Sequence, residues 1–260
     1  MGKNRPDRDF DAKLVMTKNN QNQPELQGYV RSFGRTSSRM NQAEQAALDE
    51  SLQTFAFIPQ KASTAFEQTG ALTVELGVGK GEQILARAAA NPQERFVACE
   101  VFKNGLRFLR RQAQQKQLEN LKIYPDDARQ LMADLPAQSV DKLMVLYPDP
   151  WPKNKHKKRR LVNQSFLGEA NRVLKDDGEL LLVTDIVDYT LWMLHAVYQE
   201  GSFFPTATSP QAWATPPENW VPTGYERKAK KEGRSPFYLK FCKTSAAERQ
   251  NHNKGETTEK

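Results

Sequence analysis

Residues 72–83 read Leu-Thr-Val-Glu-Leu-Gly-Val-Gly-Lys-Gly-Glu-Gln: a short apolar run, three glycines at alternate positions, then the start of a helical pattern. Glycine lets the backbone turn through positive φ and lets a bound group approach without meeting a Cβ. A strand, a glycine turn and a helix in that order open a βαβ unit, and the rest of the chain repeats the alternation. Strands are predicted over 72–77, 95–101, 121–124, 142–147, 179–185 and 236–243. Helices are predicted over 82–90, 104–118, 161–175, with Asp177-Gly178 as its stop, and 189–199. The pattern predicts an α/β fold with a parallel sheet covered by helices on both faces. In such sheets ligands bind beyond the carboxyl ends of the strands, where every motif below falls.

The 260 residues suffice for one large core. We expect a flexible, basic N-terminal arm over 1–27, one domain over 28–244 and a disordered polar tail over 245–260. The apolar runs are too short to cross a bilayer, and the lone cysteines, Cys99 and Cys242, show no paired spacing. A cytoplasmic protein without membrane attachment is expected, and nothing marks an obligate protein partner; monomer and homodimer both stay open. His156, His195 and His252 are scattered, so no metal site is expected, and His195 falls in an apolar helical stripe that reads as structural, with Phe166, Trp192 and Met193. The net charge of +7 is concentrated: 153–160 hold six basic and no acidic residues, and 227–234 hold five basic and one acidic. Two such clusters point to a polyanion.

The glycine loop excludes two nucleotide sites. A dinucleotide fingerprint needs G-x-G-x-x-G, but here the third glycine comes one residue early and Glu82 stands in its place, where it would repel a pyrophosphate. No G-K-[ST] follows, which excludes an NTP-binding P-loop. Glu100 ends the second strand, placed to accept hydrogen bonds from ribose hydroxyls. Asp127 follows the third strand, placed for an adenine edge; Asp126 competes with it, and either residue also suits a helix N-cap.

The pattern from Glu75 through Gly77, Gly79 and Gly81 resembles the first motif of Rossmann-like S-adenosylmethionine-dependent methyltransferases. The fourth strand then ends in Pro148-Asp149-Pro150-Trp151, one proline short of the [DN]-P-P-[YFW] of amino-group methyltransferases, and runs into Lys153–Arg160. With that basic continuation the segment resembles bacterial tRNA (guanine-N7-)-methyltransferases. The likeness extends over about 28–243, through "RSFGR" and "RM" at 31–40, "CEV", "DDA", "TD" at 184–185 and "TGYE" at 223–226.

The resemblance implies a mostly parallel seven-stranded sheet with a C-terminal antiparallel strand, and methyl transfer from S-adenosylmethionine to N7 of the variable-loop guanine of tRNA. It implies cofactor contacts at Glu75, Gly77, Gly79, Gly81, Glu100, Asp127 and Asp149, with Asp149 also catalytic. It implies tRNA contacts at Lys153, Lys155, His156, Lys157, Lys158, Arg159, Arg160, Asp185, Thr223, Gly224, Tyr225 and Glu226. Residue chemistry alone leaves alternatives. Trp151 suits stacking on the base or packing under its loop, Thr223-x-x-Glu226 suits a capping box, and Asp185 suits a helix cap. An amino-group methyltransferase and a non-catalytic RNA binder remain the alternative readings.

Overall fold

The computed structural model describes residues 41–244; the expectations for 1–27, 31–40 and 245–260 lie outside the described residues. In chain order the elements are α1 (Gln42–Leu52), β1 (Leu72–Leu76), α2 (Glu82–Ala90), β2 (Arg95–Cys99), α3 (Lys103–Gln115), β3 (Leu121–Tyr124), α4 (Ala128–Asp134) and β4 (Val140–Leu146). There follow α5 (Gln164–Val173), β5 (Leu174–Thr184), α6 (Val187–Glu200), β6 (Phe203–Pro205), α7 (Gly224–Lys231) and β7 (Phe237–Lys243). The sheet order is β3-β2-β1-β4-β5-β7-β6. β1 to β5 pair in parallel, while β7 runs antiparallel to both β5 and β6. This is the doubly wound arrangement, and its order reverses at β1, between β2 and β4, which opens a crevice at the carboxyl ends of β1 and β4.

Alternation along each strand divides the core. Val97, Leu143, Val145, Leu180 and Leu182 pack with α4, α5 and α6. Phe96, Ala98, Leu121 and Ile123 point the other way, against Leu48, Ile84, Leu106 and Leu109 of α1, α2 and α3. Leu109 is fully buried, so Leu109→Ala costs about 2–5 kcal/mol. Met144, Leu146, Leu181, Val183 and Tyr238 form a third cluster under Tyr147 and Trp220.

Two expectations are corrected. The helix expected to run to Asp177-Gly178 ends at Val173, because Leu174 already pairs with Val140 as the first residue of β5. Asp177 instead takes a left-handed φ of 63° inside an irregularity between Leu174 and Glu179. His195 is exposed, not part of the core. The buried face of α6 is Tyr189, Met193, Ala196 and Val197, and a residue two positions from Met193 points about 200° away. Phe166 and Met193 are buried as expected, and Trp192 packs against them half-buried. The pattern predicts neither α1 nor the three-residue β6, and β6 brings the six expected strands to seven. Among the described residues no helix is long and apolar enough to cross a membrane.

Candidate active site

The loop after β1 turns through three left-handed glycines, Gly77 (φ 71°), Gly79 (58°) and Gly81 (72°). Space beside Gly77 is open: among the described residues, its chain neighbours aside, no atom lies within 4 Å of where a Cβ would stand. Gly105, in the first turn of α3, is different: a Cβ there would stand closer than 3.0 Å to the Gly79 carbonyl oxygen. Glu100 fastens the same loop. Its carboxylate accepts the Gly79 N–H (2.6 Å) and the N–H groups of Val101 (2.8 Å) and Phe102 (2.7 Å).

Glu75 lines the pocket at the end of β1, together with Gly77, Val78, Glu82, Leu146, Tyr147, Thr223 and Tyr225. It is 2 % exposed, and among the described residues its Oε2 has no hydrogen-bond partner. Burial pushes the carboxyl up to about 8; nearby Arg87 opposes this, and Glu82 and Glu100 reinforce it. A buried carboxylate with an unpartnered oxygen beside an open glycine loop suits a cationic group, as the ammonium of S-adenosylmethionine is, and disfavours a phosphate.

Asp127 takes its capping role. It accepts the Arg129 N–H (2.9 Å) as N-cap of α4 and pairs with the Arg129 guanidinium. The competing Asp126 is exposed and accepts the Asp127 N–H (2.7 Å).

At the end of β4 two non-glycine residues have left-handed backbones, Tyr147 (φ 51°) and Trp151 (φ 40°), flanking the exposed Asp149. Such conformations cost about 1–3 kcal/mol each and concentrate at working sites. Tyr147 donates its hydroxyl to Glu226 (3.4 Å) and stacks on Tyr225, with ring centres 6.3 Å apart. Tyr225, 61 % exposed, overhangs Gly79. Partial burial, then Asp149, Glu100 and Glu82, raise its hydroxyl above the usual range.

The Thr223-x-x-Glu226 segment is a helix start: Thr223 Oγ1 accepts the Glu226 N–H (3.1 Å). Glu226 is 1 % exposed, accepts from Trp220 Nε1 (2.6 Å) and pairs with Lys230 (2.7 Å). Glu82 accepts from Gly224 N and the Arg227 guanidinium (3.1 Å each), and Gln83 accepts from Val221 N (2.9 Å). The glycine-loop helix thus carries the start of α7. Sequence reading missed Glu82, Gln83, Tyr147 and Trp220 in these roles; Glu82 registered only as a break in a fingerprint. Asp185 does not cap α6, whose N-cap is Ile186; it accepts from Arg234 Nε (2.6 Å).

The basic segment forms a short 3-10 turn, Asn154–Arg159, that presents Lys153, Lys155 and Lys158 to solvent. Trp151 packs beneath it, with the Arg159 guanidinium 4.9 Å over its ring and His156 edge-on at 5.9 Å. Partial burial, then Arg159, Lys155 and Lys153, hold the His156 imidazole below its usual range. Lys157 is paired with Asp188 (2.9 Å). Arg160 is a correction: grouped with the RNA-binding run from sequence, it is 1 % exposed and its guanidinium is turned inward. Among the described residues no group of three His, Cys, Asp or Glu side chains is placed to hold a metal ion.

A family model described as "Putative methyltransferase" matches residues 69–239. A tRNA (guanine-N(7)-)-methyltransferase of Agrobacterium fabrum is 44 % identical over 172 residues, covering 66 % of this chain and 74 % of its own. The chain belongs to the tRNA (guanine-N(7)-)-methyltransferase family. A relative of that name from Rhodopseudomonas palustris is 35 % identical over 222 residues, covering 83 % of this chain and 88 % of its own. Among solved structures, a 16S rRNA methyltransferase, KamB, aligns with a TM-score of 0.49 at 14 % identity, covering 83 % of this chain and 99 % of that one. In this methyltransferase family member Glu75, the glycine loop and Tyr147, two residues before Asp149, line one pocket at the carboxyl ends of β1 and β4, and Glu100 is hydrogen-bonded to that loop.

Proposed function

We propose that the protein methylates N7 of a guanine in tRNA with S-adenosylmethionine as donor. The observation that carries this reading is the unpartnered Glu75 oxygen in a pocket lined by the glycine loop and by Tyr147, which opens the proline-braced segment that exposes Asp149. Glu75 would receive the ammonium group of the cofactor, the left-handed glycines would let its chain pass, and Glu100 and Asp127 would serve its ribose and adenine, as the family resemblance implies. When bound, the cofactor supplies an electrophilic methyl group on a sulfonium.

Guanine N7 has an in-plane lone pair and no proton to lose, so no residue has to act as a base. The work left to the protein is positioning and stabilising a ring that becomes cationic. Asp149 does both: its carboxylate accepts from guanine N1–H and N2–H₂ and favours the positive charge. Pro148, Pro150 and Pro152 fix φ at alternate positions and stiffen the loop. Tyr225, backed by Tyr147, offers a face for the base to stack on. Glu226 and Thr223 act through Tyr147 and the helix start. Exposed Lys153, Lys155 and Lys158, with half-buried Arg159, bind the phosphate backbone.

A tRNA transcript made with 7-deazaguanosine in place of guanosine tests the atom. It lacks the nucleophile, so it binds but accepts no methyl group, while the unsubstituted transcript is methylated. Equal methylation of both transcripts would contradict N7 as the target and favour an amino group.

A further inference from the structure

We infer that Arg160 is a positioning residue for the loop that carries Asp149, and not a ligand of tRNA phosphate. The inference rests on the reading that this loop performs methyl transfer. The side chain is fully buried, and its partners come from within the protein. Nε donates to the Pro150 carbonyl oxygen (2.8 Å), one terminal nitrogen pairs with the Asp188 carboxylate, and the other reaches the Asp188 carbonyl oxygen at 3.5 Å. The rings of Tyr189 and Trp192 pack against the guanidinium, with centres 4.8 and 5.1 Å away. Both rings are anchored in turn: Trp192 Nε1 donates to the Val162 carbonyl (2.7 Å), and the Tyr189 hydroxyl accepts the Val162 N–H (3.3 Å). No fork is left for a phosphate.

The Pro150 contact gives this arrangement its purpose. Proline fixes φ at 148, 150 and 152 but leaves ψ free. Holding the Pro150 carbonyl fixes ψ at that residue, and so fixes the peptide that joins Asp149-Pro150 to the left-handed Trp151. Arg160 therefore ties the loop to the first turns of α6, which are packed on the sheet. A lysine would keep the charge but lose the planar stacking and the fork. The neighbours Lys155 and Lys158 are exposed and read as the true phosphate contacts.

The test compares wild type, Arg160→Lys and Lys158→Ala for single-turnover methylation of a saturating tRNA transcript and for the salt dependence of binding that transcript. Binding of S-adenosylhomocysteine and thermal melting report folding. For Arg160→Lys the single-turnover rate is expected to fall between about 10- and 100-fold with the log–log salt slope unchanged. Lys158→Ala is expected to lower the slope by about 0.7–0.9. Because lysine retains a charge, Asp188→Asn gives the second arm and holds if Arg160→Lys does not fold. Its target is a half-exposed carboxylate. The inference expects the saturated rate to fall roughly 3- to 10-fold as the arginine loosens, with the slope steeper by at most the one freed Lys157. An unchanged saturated rate in either folded variant overturns it, as does a slope steeper by nearly two in Asp188→Asn. If wild type methylates no tRNA, the functional reading fails instead, and the binding slopes still report whether Arg160 meets RNA.

Discussion

Replacing Glu75 by Gln should stabilise the ligand-free protein at alkaline pH and weaken its hold on the cofactor. Glu75 is raised from an ordinary 4.5 to about 8, chiefly by burial. Between those values the native state keeps a proton that the unfolded chain releases, so this group makes stability fall as pH rises through the window. At about 1.4 kcal/mol per pH unit the loss is roughly 5 kcal/mol by pH 8, an upper bound because a buried carboxylate relaxes its surroundings. Gln has the shape of the protonated acid and no titration. Urea unfolding of wild type and Glu75→Gln from pH 5 to 9 should therefore give curves that start together and separate above about pH 5, the variant becoming the more stable. Cofactor binding should reverse the order. Loss of a charge-assisted contact worth about 1.5–3 kcal/mol weakens S-adenosylhomocysteine binding roughly 10- to 150-fold. With a pKa of about 8, the free carboxyl is about nine-tenths protonated at pH 7, so binding of an ammonium group should expel close to one proton. Calorimetry in buffers of different ionisation enthalpy reads that proton, and Glu75→Gln should release none. Parallel stability curves for the two proteins across pH 5 to 9, with no proton release from wild type, would refute the assignment of Glu75 as a neutral acid waiting for a cation.

Three further outcomes follow from the same geometry. Gly105→Ala puts a Cβ closer than 3.0 Å to the Gly79 carbonyl oxygen, so the glycine loop must shift; at an overpacking cost of about 1–3 kcal/mol, cofactor affinity should drop roughly 5- to 150-fold with little change in affinity for a tRNA transcript. The Lys155→Ala/Lys158→Ala double variant should flatten the log–log salt slope of tRNA binding by about 0.7–0.9 per residue, which filter binding from low to moderate salt would measure; an unchanged slope would remove the basic turn from the interface. Asp149→Asn keeps the size of the side chain and removes its charge, and kcat should fall on the order of 10²- to 10³-fold; near-normal turnover would remove the electrostatic part of the mechanism.

The first half of the sheet was legible because its signals are local. β1, the glycine loop and α2 occupy 72–90 without interruption, and the pattern alone gave α2 its observed limits, Glu82–Ala90. Asp177-Gly178 misled because an Asp-Gly pair is a common stop, whereas pairing of Leu174 with Val140 claims the chain earlier. The site was legible where a motif names chemistry and opaque where distant residues meet. Nothing near Arg160 announces burial, since a run of like charges ordinarily faces water; Tyr189 and Trp192, which enclose it, come from the next helix but one. Glu82 meets Gly224 across 142 residues and Tyr147 meets Glu226 across 79, separations at which periodicity carries no information.

The most direct test of the central claim is mass spectrometry of nucleosides from an unmodified tRNA transcript after incubation with the full chain and S-adenosylmethionine. Wild type and Asp149→Ala should be run together, with cofactor and tRNA binding checked for both. The account expects 7-methylguanosine with wild type and its loss, by the order of 10²-fold or more in rate, with Asp149→Ala. A different methylated nucleoside, or 7-methylguanosine formed equally well by the variant, would contradict it.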